Sequence, residues 1–380
     1  MFDPAFIRML TDAVGEDRVR TVLEGLALAP SVSVRMNPAK LPECPFEGAV
    51  RVPWSPYGYL LKDRPAFTLD PLFHAGCYYV QDSSAMFVGE LFRRVLPRFT
   101  APVSVLDLCA APGGKTTDLA ASLREVCGDR FSLVANEVMH KRFPVLRSNV
   151  RTWGDPRVGV TCLDPGAFPK KPLFDIIVAD VPCSGEGMFR KDGKAVEDWS
   201  EATVDFCAAR SRRILADIWP ALRPGGVLLY STCTFNRLEN DGTVAWIAGE
   251  LGAQVLDSGD FPPVVKTGCG YLLLPGFVPG EGQYAAALVK DGTPAPRAAR
   301  GDVLDLAERP VPPDPGYPRY DLDRDTALRY LHGDALCLPD APKGLLTLCF
   351  EGHPLGPAKN LGPRCNNLYP KENRIRMNLR

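Results

Sequence analysis

The chain has 380 residues, 46% of them hydrophobic, and a formal net charge of only -1 at pH 7. That length suits two or three packed cores, and the near-neutral balance argues against indiscriminate nucleic-acid binding. Twelve cysteines are scattered without a Cys-x-x-Cys pair and accompany only four histidines, so neither a metal site nor a secreted disulfide framework is supported.

The opening MFDPAFIRML has no basic segment followed by an apolar core, and no apolar stretch approaches bilayer length. A cytoplasmic protein with no membrane partner, by default a monomer, is expected. Asp3 and Pro4 mark a helix start, and Phe6, Ile7 and Leu10, then Val19, Val22, Leu23 and Leu26, recur at helical spacing. Two short helices follow from this. SVSVRMN alternates like a strand and stops at Pro38, after which a Pro- and aromatic-rich stretch runs to Asp70 without clear periodicity. YYVQDSSAMFVGELF predicts a strand, a cap at Asp82 to Ser84 and a helix through Leu91.

From Val103 the texture changes. VSVLDLC, FSLVANEV, VGVTCL, DIIVAD and GVLLYSTC are strand-like with helical stretches between most of them, which predicts an α/β parallel sheet with covering helices. GYLLLPG and QYAAALVK complete it as a hairpin. The expected divisions are residues 1–100 as an N-terminal extension, 101–291 as the catalytic domain, 292–318 as a Pro- and Ala-rich linker and 319–380 as a small C-terminal domain with strands.

VLDLCAAPGGKTTDLAASL is a strand, a glycine loop and a helix, so Cys109, Ala110, Ala111, Pro112, Gly113, Gly114 and Lys115 form a candidate cofactor loop above a helix N-terminus. A P-loop would need glycine where Cys109 stands, and G-x-G-x-x-G is absent, which disfavours ATP and nicotinamide cofactors. S-adenosylmethionine remains: its amino-acid end can lie over the loop while Glu137, at the end of the next strand, accepts both ribose hydroxyls. Glu137 could otherwise be an exposed acid at a helix start.

Two cysteines follow apolar strands, Cys183 in DVPCSG and Cys233 in YSTCTF, where an open α/β sheet presents side chains to its ligand crevice. Any one cysteine taken alone is most often a small buried hydrophobe. From Lys343 to Arg380, seven Lys or Arg face two Glu, a local +5 that leaves about -6 for the rest. Arg364, Lys371, Arg374 and Arg376 interleave with Asn366, Asn367, Leu368, Tyr369 and Ile375, a mixture suited to a folded RNA-contacting surface.

CAAPGGKTT, ANEV, DVPCSGEGMFRKD and YSTCTFNRLEN, with YYVQDSSAM before them and NNLYPKENRIRM after, resemble the Sun/RsmF family of RNA cytosine-5 methyltransferases, in its RsmF-like bacterial rRNA branch. The resemblance implies a Rossmann-like S-adenosylmethionine-dependent methyltransferase sheet, an N-terminal α+β RNA-binding extension and a PUA-like C-terminal domain. It implies small-subunit (16S) ribosomal RNA, or the small subunit itself, as partner and 5-methylcytosine as product. C5 of cytosine is a weak nucleophile until a thiolate adds to C6. By the resemblance Cys233 attacks and Cys183 assists release; DNA cytosine methyltransferases use the P-C cysteine as nucleophile, so swapped roles are the alternative. Asp180 is expected at the base's N3 and amino edge and beside the cofactor, with Lys115 either holding Asp180 or neutralising the cofactor carboxylate. Arg142 is expected to face the cofactor, Asp164 to contact the adenine amino group, and Arg190 and Lys191 to meet RNA phosphate. The chain departs from the family pattern at Val181, often alanine, and in lacking a histidine near Gly276. A tRNA substrate, or a noncatalytic ribosome-assembly factor on a retained fold, are the other readings; an exocyclic amino-group methyltransferase would carry N-P-P-Y or D-P-P-Y where this chain has DVPC.

Overall fold

The structure, a computed structural model, describes residues 2–293 and 303–379. Asp3 starts α1 (Pro4–Val14) by accepting the Ala5 N–H at 2.7 Å, and Pro4 has no N–H to satisfy there. Gly15, at φ 87°, turns the chain into α2 (Glu16–Leu26). The buried faces of both helices, including Phe6, Leu10 and Val22, join the same apolar cluster as Trp199 and Tyr230 of the catalytic sheet region.

A small antiparallel sheet follows, built from β1 (Val32–Met36), β2 (Val50–Arg51), β3 (Gly58–Leu61) and, after α3 (Pro71–His74), β4 (Tyr78–Val80), in the order β2-β3-β1-β4. β2 and β3 lie in the stretch without periodicity; two and four residues are too few to display alternation. The helix expected right after Asp82–Ser84 begins later, as α4 (Phe87–Val95).

The main sheet comprises β5 (Val103–Asp107), α5 (Gly114–Cys127), β6 (Phe131–Asn136), α6 (Phe143–Trp153), β7 (Val158–Thr161), β8 (Phe174–Asp180), α7 (Gly193–Glu197), α8 (Glu201–Ile218), β9 (Leu222–Thr232), α9 (Asp241–Leu251), β10 (Ala253–Val255), β11 (Val265–Lys266), β12 (Tyr271–Leu273) and β13 (Gln283–Lys290). Its order is β11-β12-β13-β9-β8-β5-β6-β7, with β10 also on β13. β7, β6, β5, β8 and β9 are parallel, while β13 runs antiparallel to β9 and pairs with β12 as the expected hairpin. The chain moves outward in one direction from β5 and then in the other from β8. That reversal opens a crevice at the carboxyl ends of β5 and β8, the usual ligand position in a doubly wound sheet.

Of the stretch expected as a linker, 292–318, residues 294–302 lie outside the described residues. Beyond them Val303 and Leu304 are buried in the catalytic core, and Glu308 exchanges backbone hydrogen bonds of 2.8 and 2.9 Å with Val160 on β7. This part rides on the sheet edge. The C-terminal unit contains β14 (Arg319–Asp321), α10 (Arg324–His332), β15 (Gly344–Phe350), β16 (His353–Asn360) and β17 (Cys365–Asn367), with sheet order β14-β15-β16-β17. Among the described residues no helix is long and apolar enough to cross a membrane.

Candidate active site

β8 and β9 are parallel neighbours with Asp180 opposite Ser231, so the turns leaving them emerge side by side. Cys183 and Cys233 sit in those turns with their sulfurs 3.4 Å apart. A buried polar scaffold fixes both turns. Glu239 accepts the Ser184 N–H at 2.9 Å and the Ser184 hydroxyl at 2.5 Å, and Asn236 donates to it at 2.8 Å. Glu186 accepts from the Phe235 and Asn236 backbone N–H groups at 2.7 and 3.1 Å and from the Trp199 indole at 3.1 Å. The Gly187 N–H closes onto the Cys233 carbonyl at 2.8 Å. Burial pushes the Glu239 carboxyl up to about 7. The contact with Cys233, then burial, drive the Cys183 thiol upward, so Cys183 keeps its proton.

Asp180 ends β8 at the centre of a second network. Lys115, from the first turn of α5, pairs with Oδ2 at 2.8 Å, while Ser231 and Gln283 donate to Oδ1 at 2.7 and 3.1 Å. Burial alone would lower the Lys115 pKa, but Asp180, with a smaller contribution from Cys233, raises it. Of the two roles open to Lys115, the structure has it holding Asp180. Ser231, Gln283, Glu239 and Glu186 had no assigned roles in the sequence; Ser231, Glu239 and Glu186 lie inside the motifs that carried the resemblance.

Gln283 is itself positioned by the preceding loop. The Glu281 N–H donates to both Asp82 oxygens at 3.3 and 3.2 Å, the Gly282 N–H donates to the Ser84 hydroxyl at 3.3 Å, and a Cβ on Gly280 would collide with Ser84. The expected helix cap at Asp82–Ser84 instead anchors this loop. Arg190 completes the anchor through Glu281 at 2.6 Å and the Pro279 and Gly280 carbonyls at 3.2 and 3.1 Å, with its side chain 4% exposed. The expectation that Arg190 meets RNA phosphate is therefore corrected: with a further bond to the Gly25 carbonyl at 3.4 Å, its nearly buried guanidinium spends four of its five N–H donors anchoring this loop instead of facing solvent. Lys191, 34% exposed, lies 3.2 Å from Glu281 and 3.6 Å from Asp82.

The glycine loop lies across β5 and β6. Gly113 is left-handed at φ 113° and caps α5, as only glycine does without strain, and the Ala110 N–H donates to the Asn136 carbonyl at 2.8 Å. Around the loop, two carboxyl oxygens are buried without hydrogen-bond partners: Glu137 Oε2 and Asp107 Oδ1. Glu137 Oε1 takes the Met139 N–H at 2.8 Å, and Arg142 lies 3.4 Å from Oε2 while donating to the Ala111 carbonyl. Asp107 Oδ2 is filled by Thr116 at 2.6 Å. Carboxyl oxygens that accept no hydrogen bond, beside an open glycine loop, fit a ligand with hydroxyl and ammonium donors, the groups S-adenosylmethionine carries. The Cys109 thiol, buried beside Asp180, Asp107 and Glu137, is pushed upward and stays protonated. Asp164 is exposed and caps its own turn through Gly166 N–H at 2.9 Å.

One buried residue links this loop to the N-terminal sheet. Arg35 of β1, 0% exposed, donates to the Gly114 carbonyl at 3.0 Å, to Thr117 Oγ1 at 2.5 Å and to Gln81 Oε1 at 2.9 Å, 3.9 Å from Asp118 and over the Trp153 ring. In the tail, Arg364, Lys371 and Arg376 are exposed, whereas Arg374 is half-buried over Gly333.

A reversed parallel sheet with a glycine loop on β5, an acid after β6 and paired thiols after β8 and β9 defines a Rossmann-like methyltransferase fold. Three family models match: the N-terminal domain of 16S rRNA methyltransferase RsmF over residues 2–83, 16S rRNA methyltransferase RsmB/F over 100–288, and the methyltransferase RsmF PUA domain over 317–375. The chain belongs to the RsmF branch of this family. It is 32% identical to ribosomal RNA small subunit methyltransferase F of Erwinia tasmaniensis, across 83% of this chain and 66% of that one, and 35% identical to the Pectobacterium atrosepticum protein of the same name, across 65% and 52%. The chain thus spans between about half and two-thirds of the length of these relatives. In fold it resembles a methyltransferase homolog from Pyrococcus horikoshii (TM-score 0.62, 23% identity, 76% of this chain and 99% of that one) and NSun6 of the same organism (TM-score 0.63, 18%, 77% and 99%).

Proposed function

We propose that the protein is an S-adenosylmethionine-dependent RNA methyltransferase that forms 5-methylcytosine in small-subunit ribosomal RNA. The observation that carries this reading is the pair of sulfurs 3.4 Å apart at the ends of adjacent parallel strands, beside the Asp180–Lys115 pair. Glu137, Asp107 and the loop from Cys109 to Gly114 would hold S-adenosylmethionine, which supplies an electrophilic methyl group when bound.

The Cys233 thiolate adds to C6 of the target cytosine, and electron density moves to C5, which becomes the nucleophile. Asp180 accepts from the exocyclic amino group, and Lys115 offsets charge as the ring is attacked. Once C5 carries the methyl group, a base removes the C5 proton, its electron pair restores the C5–C6 double bond, and the C6–S bond breaks. Cys183, holding its proton, is placed to donate a hydrogen bond to the departing thiolate. Such chemistry needs the base out of any stack, so the target is accessible or flipped. Residues 101–291 carry the chemistry in this reading, and residues 1–100 and 319–380 position the RNA.

The test incubates wild type, Cys233→Ala and Cys183→Ala with labelled S-adenosylmethionine and unmodified small subunits, scoring 5-methylcytosine and denaturation-resistant protein–RNA adducts. Expected are loss of product and adduct in Cys233→Ala and a persistent adduct in Cys183→Ala. The reverse pattern exchanges the thiol roles. Transfer to tRNA alone moves the substrate, and no transfer by wild type to any RNA points to the noncatalytic assembly factor.

A further inference from the structure

A cavity of about 270 Å³ opens where the N-terminal unit, α6 and the C-terminal unit meet. Phe73, Tyr79 and Tyr369 bring aromatic surface to it from two of these units, and Asn149 and Asn373 bring amides. The units are joined at its edge by Ser148 of α6, which donates to Asn373 Oδ1 at 2.9 Å. Aromatic faces with amide donors and acceptors are what an unstacked nucleobase requires: stacking on a ring holds any base, and amides address its polar edge.

Charge beside the cavity fits the rest of a nucleotide. Arg151, in the last turn of α6, directly precedes Thr152 and Trp153 of the cavity lining, and Arg374 directly follows Asn373 of the same lining; Arg151 opposes the upward push that burial gives the Tyr369 and Tyr330 hydroxyls, and Arg374 acts likewise on Tyr330. The two tyrosine rings are 5.4 Å apart. Among the described residues neither arginine has an ion-pair partner, and Arg374 Nε is buried without a hydrogen-bond acceptor. Two unpaired guanidiniums beside an aromatic cavity attract an anion. The acidic neighbour facing the cavity's aromatic wall, Asp70, is occupied by the Tyr78 hydroxyl at 2.6 Å.

We propose that this junction cavity binds a second, unstacked nucleotide of the substrate RNA, its base against Phe73, Tyr79 and Tyr369 and its phosphate toward Arg151 and Arg374. The proposal rests on the RNA-methyltransferase reading. The cavity also shares a wall with the cofactor loop: Asn149 donates to the Pro112 carbonyl at 2.7 Å, and a Cβ on Gly114 would lie 3.2 Å from the Tyr79 ring. A base seated there therefore registers the RNA against the same loop that faces the reaction centre.

The test uses the full chain and a 16S rRNA transcript carrying 5-iodouridine, which photocrosslinks to aromatic side chains. Wild type should crosslink through a peptide containing Phe73 to Tyr79 or Tyr369. Arg151→Gln should weaken transcript binding about fivefold or more and flatten its salt dependence by close to one phosphate's share, with Phe73→Leu weakening it without changing the salt slope and S-adenosylmethionine affinity unchanged in both. Methylation by wild type with crosslinks only elsewhere, and both variants binding like wild type, overturns the subsite and leaves the reading of function intact. Crosslinks at the cavity without methyl transfer to the transcript, the small subunit or tRNA support the subsite and overturn the catalytic reading. If free UMP or CMP binds wild type at millimolar concentration, weakened in Arg151→Gln, while the transcript does not bind, the ligand is a mononucleotide and the RNA subsite falls.

Discussion

Asp107 ends β5 with one oxygen filled by Thr116 and the other unpartnered, and burial pushes its carboxyl up to about 7, against the opposing pull of Thr116 and Lys115. An acid raised in this way stays protonated in the fold at pH values where the unfolded chain has ionised, the unfolded pKa being about 4. The folded state then binds more protons from about pH 4 to about pH 7, so the contribution of this group to stability falls as pH rises through that window and is level above it. Asp107→Asn keeps an acceptor for Thr116 and removes the titration. Its melting temperature relative to wild type should therefore climb by several degrees between pH 4.5 and 7.5, in thermal melts without cofactor. A difference that stays constant with pH would show that the Asp107 carboxyl is not protonated in the fold. Glu239, also raised to about 7, keeps part of the wild-type slope in place in this variant.

The element that ties the N-terminal sheet to the cofactor loop is β1, through Arg35. Its guanidinium holds the Gly114 carbonyl and Thr117 in the first turn of α5, where the loop must stay open for a ligand. Removing a charged donor from such a site costs more than an exposed pair would, because the carbonyl and Asp118 are left buried without it. Arg35→Met is expected to weaken S-adenosylmethionine binding about tenfold, or about 1.4 kcal/mol, by calorimetry below the melting transition. Arg35→Lys should recover part of it. Thr117→Val, which keeps the shape, should weaken it less. A melting point that drops while cofactor affinity holds would reduce Arg35 to a structural residue. The sequence showed β1 clearly, since SVSVRM alternates, yet Arg35 read as one polar residue of a strand because its partners lie some 46 to 82 residues away. Arg190 was misread for the same reason: Glu281, which buries it, is 91 residues distant. The strand-to-turn motifs of β5, β8 and β9 were legible because spacing along one chain segment fixes their geometry. β2 and β3 were not, because pairing with neighbours, rather than local pattern, makes them strands.

At the scale of the molecule, composition implied separate units, but the packing joins the first and last of them. Val34, Met36, Leu72, Ala75 and Cys77 from the N-terminal unit share one apolar cluster with Leu328, Leu331, Leu346, Leu355 and Ala358 from the C-terminal one, and Arg324 donates to the Leu69 carbonyl at 3.0 Å. No sequence signal foretold this, since the two halves of the cluster are each an ordinary set of buried positions and only the fold brings them together. The consequence for function is that the basic tail is carried on a surface braced against α3 and α6 instead of swinging freely. Leu72→Ala, 8% exposed in α3, should cost about 2 to 4 kcal/mol. Because the cluster is continuous, hydrogen exchange should quicken in β16 as well as in β1 and β4. Acceleration confined to residues 32–80 would mean that the two units open independently, and RNA docking at their junction would then require a prior closure step.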